Sequence, residues 1–277
     1  MPEKQEENAQ SESLRAARLA QWFAARGLTV QLGRRSDYDL LAQYHYRAGR
    51  PATIAKTPAG KPCIMCIRDR AGRLAAVLVV SMPTLNSSWR KLAWPGRFNS
   101  GNKSRDARAI NRDLRCISRV IVDPRFRGMG IARALVGSYL AKPMTVMTEA
   151  VAAMGHVCPF FDAAGMVPYV LSPGVRDARL LDALAHVAVE PWEVLDVDRA
   201  QRVIMAHPWL EAEAIRWAKG SPTTRRMLDS VDTRKTHTAA RDLLMLAVSG
   251  AANRPVAYAY THAPIHTRTH ANSKTNT

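Results

Sequence analysis

The strongest chemical signal in this 277-residue chain is a basic run holding two glycines, Arg125-Phe126-Arg127-Gly128-Met129-Gly130. It follows the apolar segment Val120-Ile121-Val122-Asp123-Pro124 and leads into a helical pattern that begins Ile131-Ala132, so the glycines sit where a strand turns into a helix. Without side chains at Gly128 and Gly130, backbone N–H groups come close to a phosphate, and the unsatisfied amides and positive end of the next helix face it. Arg125 and Arg127 add charge-assisted hydrogen bonds. The expected chemistry is binding of a phosphorylated ligand. Other phosphate loops fit poorly, because Gly96 to Ser104 lacks a contiguous Gly-Lys-Ser and no Gly-x-Gly-x-x-Gly follows the first strand.

Further residues suit proton or anion chemistry. His45 has the side chain whose ordinary pKa, about 6.5, suits a base or an acceptor-binding group, the alternative being a His packed on a helix surface. Ser118 and Arg119 are neighbours on an apolar strand and are expected on opposite faces. An Arg there needs an anion, either a ligand or a buried ion pair. Glu149 is the one acid in the strand pattern Val146 to Val151 and reads either as that partner or as a general base. Between Pro83 and Asp113, Trp89 and Trp94 alternate with Arg90, Lys91, Arg97, Lys103, Arg105, Arg108 and Arg112. Bases stack on aromatic rings while cations hold phosphates, so the composition suits a nucleic-acid groove, and tryptophans covering the core are the alternative. Cys63 and Cys66 have metal-like spacing but lie in a strand pattern with no second pair, so they read as core residues and no metal is expected.

The elements that must position these residues follow from periodicity. A helix is expected over Leu14 to Phe23, ended by Gly27, then a strand Leu28 to Leu32 and a helix Tyr38 to Tyr46. Strands follow at Cys63 to Ile67 and Leu74 to Met82 across the turn Asp69-Arg70-Ala71-Gly72. Pro83 to Asp113 reads as a long loop. Then come strand Leu114 to Val122, helix Ile131 to Leu140, strand Met144 to Val151, short helix Pro159 to Ala164 and strand Met166 to Leu171. Helical patterns at Val175 to Ala188, Glu193 to Met205, Leu210 to Lys219 and Thr238 to Val248 read as a separate appendage punctuated by prolines. Four regions result: a disordered tail over 1–12, an α/β domain over 13–172, a helical C-terminal region over 173–260, and a disordered tail over 261–277.

Forty Lys and Arg against 23 Asp and Glu give a net charge of +17, more than one small anionic ligand needs, so DNA or RNA is expected as acceptor or docking partner. No apolar run reaches the roughly 20 residues of a membrane span, the N-terminus is not signal-like, and the four cysteines read as reduced thiols. A soluble, cytoplasmic protein is expected, with no membrane partner.

The run Arg-x-x-Gly-x-Gly-Ile-Ala after a Val-x-Pro strand resembles motif A of the GNAT acyltransferases, whose pattern is Gln/Arg-x-x-Gly-x-Gly/Ala. Cys158-Pro159-Phe160-Phe161-Asp162-Ala163-Ala164-Gly165-Met166 resembles the family's second signature. The resemblance, over about Leu28 to Leu171, implies a GNAT fold with a mixed central sheet flanked by helices, and acetyl-CoA or another acyl-CoA as co-substrate. It implies that Ile121, Val122, Arg125, Arg127, Gly128, Met129, Gly130, Ile131, Ala132 and Phe161 hold the coenzyme; the candidate catalytic residues are His45, Tyr46, Ser118, Arg119 and Glu149, with the alternatives given above for His45, Arg119 and Glu149. Where many relatives carry a Tyr that protonates the departing thiolate, this chain has Phe161, so that role falls to water, Cys158 or Tyr169. Tyr44 to Ala52, Ile117 to Val120 and Met154 to Phe161 are also similar to the GNAT domain fused to an ABC-type ATPase in prokaryotes. No Walker motif is present here, so an ATPase partner would be a separate chain. The His-Tyr and Ser-Arg elements resemble, more faintly, the phage Mom proteins that modify adenine in DNA, which points to a nucleic-acid acceptor.

Overall fold

The computed structural model describes residues 14, 17–45, 51, 53–221, 224–225 and 237–262. The chain divides into two compact units: one takes the sequence up to Tyr169 and again from Val256, the other runs from Val170 to Pro255.

The first unit is a seven-stranded mixed sheet. A helix over 17–25 (α1) is ended by Gly27 in the left-handed region (φ 60°), where glycine pays no Cβ penalty, and leads into β1, Leu28–Leu32. Helix α2, Arg35–Leu41, is capped by Asp37, whose Oδ2 accepts the Arg34 amide at 2.7 Å. Strands β2, Ile64–Asp69, and β3, Leu74–Ser81, form a hairpin whose turn is tied by Asp69: its carboxylate accepts the Ala71 amide at 3.0 Å and the Arg73 amide at 2.9 Å. All eight β3 residues are buried, which suits the central position of a Val- and Leu-rich strand. Then follow α3, Arg90–Ala93, α4, Lys103–Asp113, β4, Leu114–Val122, α5, Ile131–Ala141, β5, Met147–Ala152, α6, Phe160–Ala163, and β6, Val167–Val170. The sheet order is β1-β2-β3-β4-β5-β7-β6, where β7 is Val256–Thr261. Of the pairings β1–β2, β2–β3, β3–β4, β4–β5 and β5–β7, only β4–β5 is parallel. One face packs Leu78, Val80 and Ile117 against Ile131, Leu135 and Leu140 of α5, while the other packs Ile64, Val77, Val79 and Ile121 against Tyr38 and Leu41 of α2. Cys63 belongs to the first core and Cys66 to the second, and burial pushes the Cys63 thiol up to about 11.

Three expectations about elements are corrected. Val256–Thr261, read as part of the helical region, is a strand whose Val-Ala-Tyr-Ala-Tyr alternation pairs with β5 along its whole length. The helical region, a separate compact unit, is therefore followed in the chain by the strand that pairs with β5. The long loop contains α4, whose cap is Asn102, its Oδ1 accepting the Arg105 amide at 3.0 Å. Helix α2 is short and passes through a 3-10 turn, Ala42–Tyr44, to His45; Tyr46 lies outside the described residues, as do the tails 1–13 and 263–277.

The second unit packs α7, Val175–His186, α8, Val197–Ala206, α9, Leu210–Lys219, and α10, His237–Ala252, around Leu184, Val203, Ile204, Leu210 and Leu244. Trp217 is pinned in this core. Its Nε1 donates to Asp177 at 2.7 Å, the Arg176 guanidinium lies 4.5 Å from its ring centroid, and Gly250 leaves it room, since a Cβ there would stand 2.5 Å from the ring.

Candidate functional site

The parallel pairing of β4 with β5 runs from Leu114↔Met147 to Ile117↔Ala150 and stops. Beyond that point β5 stays with β7 as far as Ala152, so β4 loses its neighbour and the sheet splits. The split coincides with a bulge. On the other edge of β4, Val79 pairs with Arg119 and Val80 with Ile117, which leaves Ser118 as the extra residue. The Ser118 hydroxyl is held by Ser81 Oγ at 2.6 Å and by Val79 O at 3.2 Å.

A cavity of about 370 Å³ fills the split. It is lined by Tyr44 and His45, by Ile117 to Val122 of β4, by Arg127, by Val151 to Met154, and by Cys158, Phe160 and Phe161. Ser118 and Arg119 both line it, within the unbroken run Ile117 to Val122, so the backbone edge of β4 as well as its side chains forms this wall. Arg119 donates from Nη1 to the Ser118 carbonyl at 2.7 Å. Ile121 and Val122 lie in the same wall. Tyr44, Val151, Met154 and Phe160 are not among the predicted site residues, because they come from a 3-10 turn, a strand, a turn and a helix that meet only in the folded chain.

The basic loop, which reaches the cavity through Arg127, takes the shape its glycines allow. Gly128 and Gly130 have φ of 76° and 77°, a region that favours glycine, and a Cβ on Gly128 would meet no protein atom within 4 Å. Gly130 caps α5, so the amides of Ile131, Ala132 and Arg133, which have no intrahelical acceptor, point out of the helix beside it. Trp22 of α1 stands next to this cap, 3.7 Å from where a Gly130 Cβ would be. The two arginines differ. Arg125 is held by its neighbour Asp123, Nε to Oδ1 at 2.9 Å and Nη2 to Oδ2 at 2.8 Å, and this pairing keeps the Asp123 carboxyl below the usual carboxylate range. Arg127 is exposed, reaches the Val122 carbonyl at 3.3 Å and lines the cavity, so it is the better placed of the two for an anion. Met129 is exposed on the loop, Ile131 is buried under it and Ala132 is half-buried.

The remaining candidates separate. Glu149 is buried outside the cavity lining and both its oxygens are taken by Arg90, at 2.8 and 2.6 Å, so its carboxylate is committed to an ion pair. Cys116 lies in the field of that pair, and burial pushes its thiol up to about 12. Phe161 packs its ring 4.4 Å from Phe160 and 5.2 Å from Tyr258. Tyr258 spends its hydroxyl on the Gly155 carbonyl at 3.3 Å. Tyr169 packs 5.9 Å from Trp89 and is outside the cavity lining, whereas the exposed Cys158 is in it. Trp89 and Trp94 are both buried, 5.9 Å apart, with Trp94 Nε1 donating to Thr261 at 2.9 Å. They cover the sheet and offer no exposed ring for base stacking.

No protein-family profile and no curated protein matches the sequence. Several solved structures are similar to part of the chain. A spermidine N-acetyltransferase from Vibrio cholerae is 11% identical, with 54% of this chain and 84% of that one covered at a TM-score of 0.32. A histone acetyltransferase and related acetyltransferase from Corynebacterium glutamicum is 16% identical over 53% of this chain and 89% of that one, TM-score 0.33. Arylalkylamine N-acetyltransferase 2 from Aedes aegypti is 13% identical over 52% and 86%, TM-score 0.31. Among the described residues no helix is long and apolar enough to cross a membrane, and no group of three or more His, Cys, Asp or Glu side chains is placed to hold a metal.

Proposed function

We propose that this protein is an acyl-CoA-dependent N-acyltransferase of the GNAT type whose acceptor is an amine on a nucleic acid, with adenine N6 in DNA as the sharpest form. One observation carries the reading: the cavity at the β4–β5 split is lined by Val122 and by Arg127 of the glycine loop, and that loop leads into the N-terminus of α5. A donor with a pyrophosphate, an extended amide-bearing arm and a terminal thioester matches that order. The pyrophosphate takes the amides around Gly128 to Ala132 with Arg127. The arm lies along the edge of β4 that β5 has left, where Val120 to Val122 offer backbone groups as another strand would.

The thioester then reaches the bulge. There the amine attacks the carbonyl carbon, the N–C bond forms and the C–S bond breaks; a backbone N–H of β4 stabilises the oxyanion. A base takes the amine's proton and the thiolate leaves with one. His45 is the base in this scheme because it lines the cavity, and Phe161 leaves the proton for the thiolate to Cys158 or water. The excess of 17 positive charges supports a polyanionic acceptor.

Mass spectrometry of the purified protein for bound CoA, followed by calorimetry with acetyl-CoA, tests the donor. Incubation with acetyl-CoA and DNA, RNA, polyamine or a lysine peptide tests the acceptor. An acylated nucleoside is expected. Acylated polyamine or lysine with unmodified nucleosides removes the nucleic-acid acceptor, and no CoA binding removes acyl transfer.

A further inference from the structure

We infer that the exposed face of α4 is a docking surface for the phosphate backbone of a nucleic acid. This rests on the nucleic-acid part of the reading above but not on acyl transfer. Arg105, Arg108 and Arg112 stand at i, i+3 and i+7, so they form one stripe along about 10 Å of helix, while Lys103 lies in the first turn off that face. All four are exposed, while Ile110 on the opposite side is buried against the unit.

The acids of the helix leave Arg105 and Arg108 of the stripe unneutralised, and Arg112 shares its acid with Arg97. Asp106 turns back to Ser100, accepting its amide at 3.0 and 3.1 Å and its hydroxyl at 2.7 Å. Asp113 is shared between Arg97, at 3.1 Å, and Arg112, at 2.8 and 2.9 Å. Among the described residues Lys103, Arg105 and Arg108 carry no ion pair. Folding does not ask for this arrangement, since Arg108 and Arg112 are a like-charge i,i+4 pair, which weakens a helix.

Guanidinium forks fit phosphate oxygens in pairs, and a polyanion is the partner whose charge complements a row of them. An anionic membrane is disfavoured, because none of the exposed large apolar side chains lies on α4. The burial of Trp89 and Trp94 removes base stacking from this face, so the docking reads backbone rather than bases and tolerates any sequence. Helix α4 runs directly into β4, which places the surface at one end of the strand that carries the cavity wall.

The test is anisotropy of a labelled DNA duplex and a labelled RNA strand across a salt series, with wild type and the double variant Arg105→Ala, Arg108→Ala. Among the described residues neither side chain has an ion-pair partner to leave stranded, so the variant folds, and an unchanged circular dichroism spectrum and melting temperature confirm it. Binding of at least one probe by wild type is expected, weakened about tenfold or more at low salt in the variant, with the log–log salt slope shallower by about one per lost contact. The pair Arg105→Lys, Arg108→Lys should keep most of the slope. Equal affinity and slope in wild type and the alanine variant overturns the inference. So does wild type that binds phosphatidylserine vesicles and neither nucleic acid. Docking that depends on α4 with no acylated nucleoside keeps this surface and sinks the acceptor reading instead.

Discussion

Arg90 grips Glu149 through both carboxylate oxygens, Nε to Oε2 at 2.8 Å and Nη2 to Oε1 at 2.6 Å, with neither side chain meeting solvent. The pair anchors the short helix α3 to the strand that borders the split. Removing one partner strands a buried charge, so Glu149→Gln should lower stability by about 3 to 5 kcal/mol. The double change Arg90→Met, Glu149→Leu, close to the same volume and with no charge, should recover most of it. Urea unfolding measures both. A Glu149→Gln protein as stable as wild type but slow in turnover would instead make Glu149 a base.

Asp113 gives the fold an acid-sensitive joint at the end of α4. Its hydrogen bonds from Arg112, then the weaker pull of Arg97, hold its carboxyl below the ordinary range. A carboxyl depressed in the folded state stabilises above its unfolded pKa, about 4, and that contribution drains away as pH falls through the lower folded value. Stability should therefore decline below about pH 4, and Asp113→Asn should flatten that part of the profile. A variant whose stability falls with acid as steeply as wild type would contradict this.

Gly155 lies against β7 with no spare room. A Cβ there would stand 2.7 Å from Val256 Cβ and 2.9 Å from the Tyr258 hydroxyl, both too close for real atoms. Gly155→Ala should cost about 1 to 3 kcal/mol through overpacking. It should also disturb the neighbouring cavity-lining residues Ala153, Met154 and Cys158. Thermal unfolding checks the first effect and ligand binding the second; an unchanged melting temperature would mean the loop moves freely.

At the glycine loop, backbone strain and ligand space separate by position. Gly128→Ala is strained by about 1 to 2 kcal/mol because of its positive φ, yet its Cβ meets no protein atom, so any larger loss must fall on what binds there. On the acyltransferase reading, Arg127→Ala should weaken CoA by about 1.5 to 3 kcal/mol, the range for a charged hydrogen bond. Arg125→Ala should do less, since Arg125 is already paired with Asp123. Calorimetry that ranks Arg125 above Arg127 would place the pyrophosphate on the other side of the loop.

The glycine loop and β4 were legible because composition and order agree there: Val and Ile make a strand, two glycines permit left-handed turns, and Ala and Leu make a helix. Strand β7 was not, since Val256 to Thr261 lies beyond an 86-residue helical unit from Val170 to Pro255, and its pairing with β5 is a long-range fact. Helix α4 was hidden by charge. Its only buried residues are Ile110 and Asp113, so it carries almost no apolar period to read. The bulge at Ser118 is invisible locally, because it exists only in the register between β3 and β4. The bulged Ser118 and its neighbour Arg119 both line the cavity, so part of the site's geometry is set by that register.

His45 is the remaining test of the acceptor chemistry. It follows the turn Ala42–Tyr44, its amide donating to the Ala42 carbonyl at 3.1 Å, and it lines the cavity across from the bulged strand. An exocyclic base amine is uncharged near neutral pH and a poor nucleophile, because its lone pair is delocalised into the ring. It needs no deprotonation before attack, unlike a lysine ammonium, but it must shed a proton as the N–C bond forms. Placement, an oxyanion donor and a proton acceptor in the cavity supply what the reaction lacks. His45→Ala should lower turnover by about 10² to 10⁴ and remove the low-pH limb of the kcat profile, with CoA affinity close to wild type because the loop amides and Arg127, not His45, hold the pyrophosphate in this scheme. A His45→Gln protein keeps a hydrogen-bonding side chain but cannot take the proton, so it should be as slow as the alanine variant. Full turnover in either variant would leave water to carry the proton and remove His45 from the mechanism.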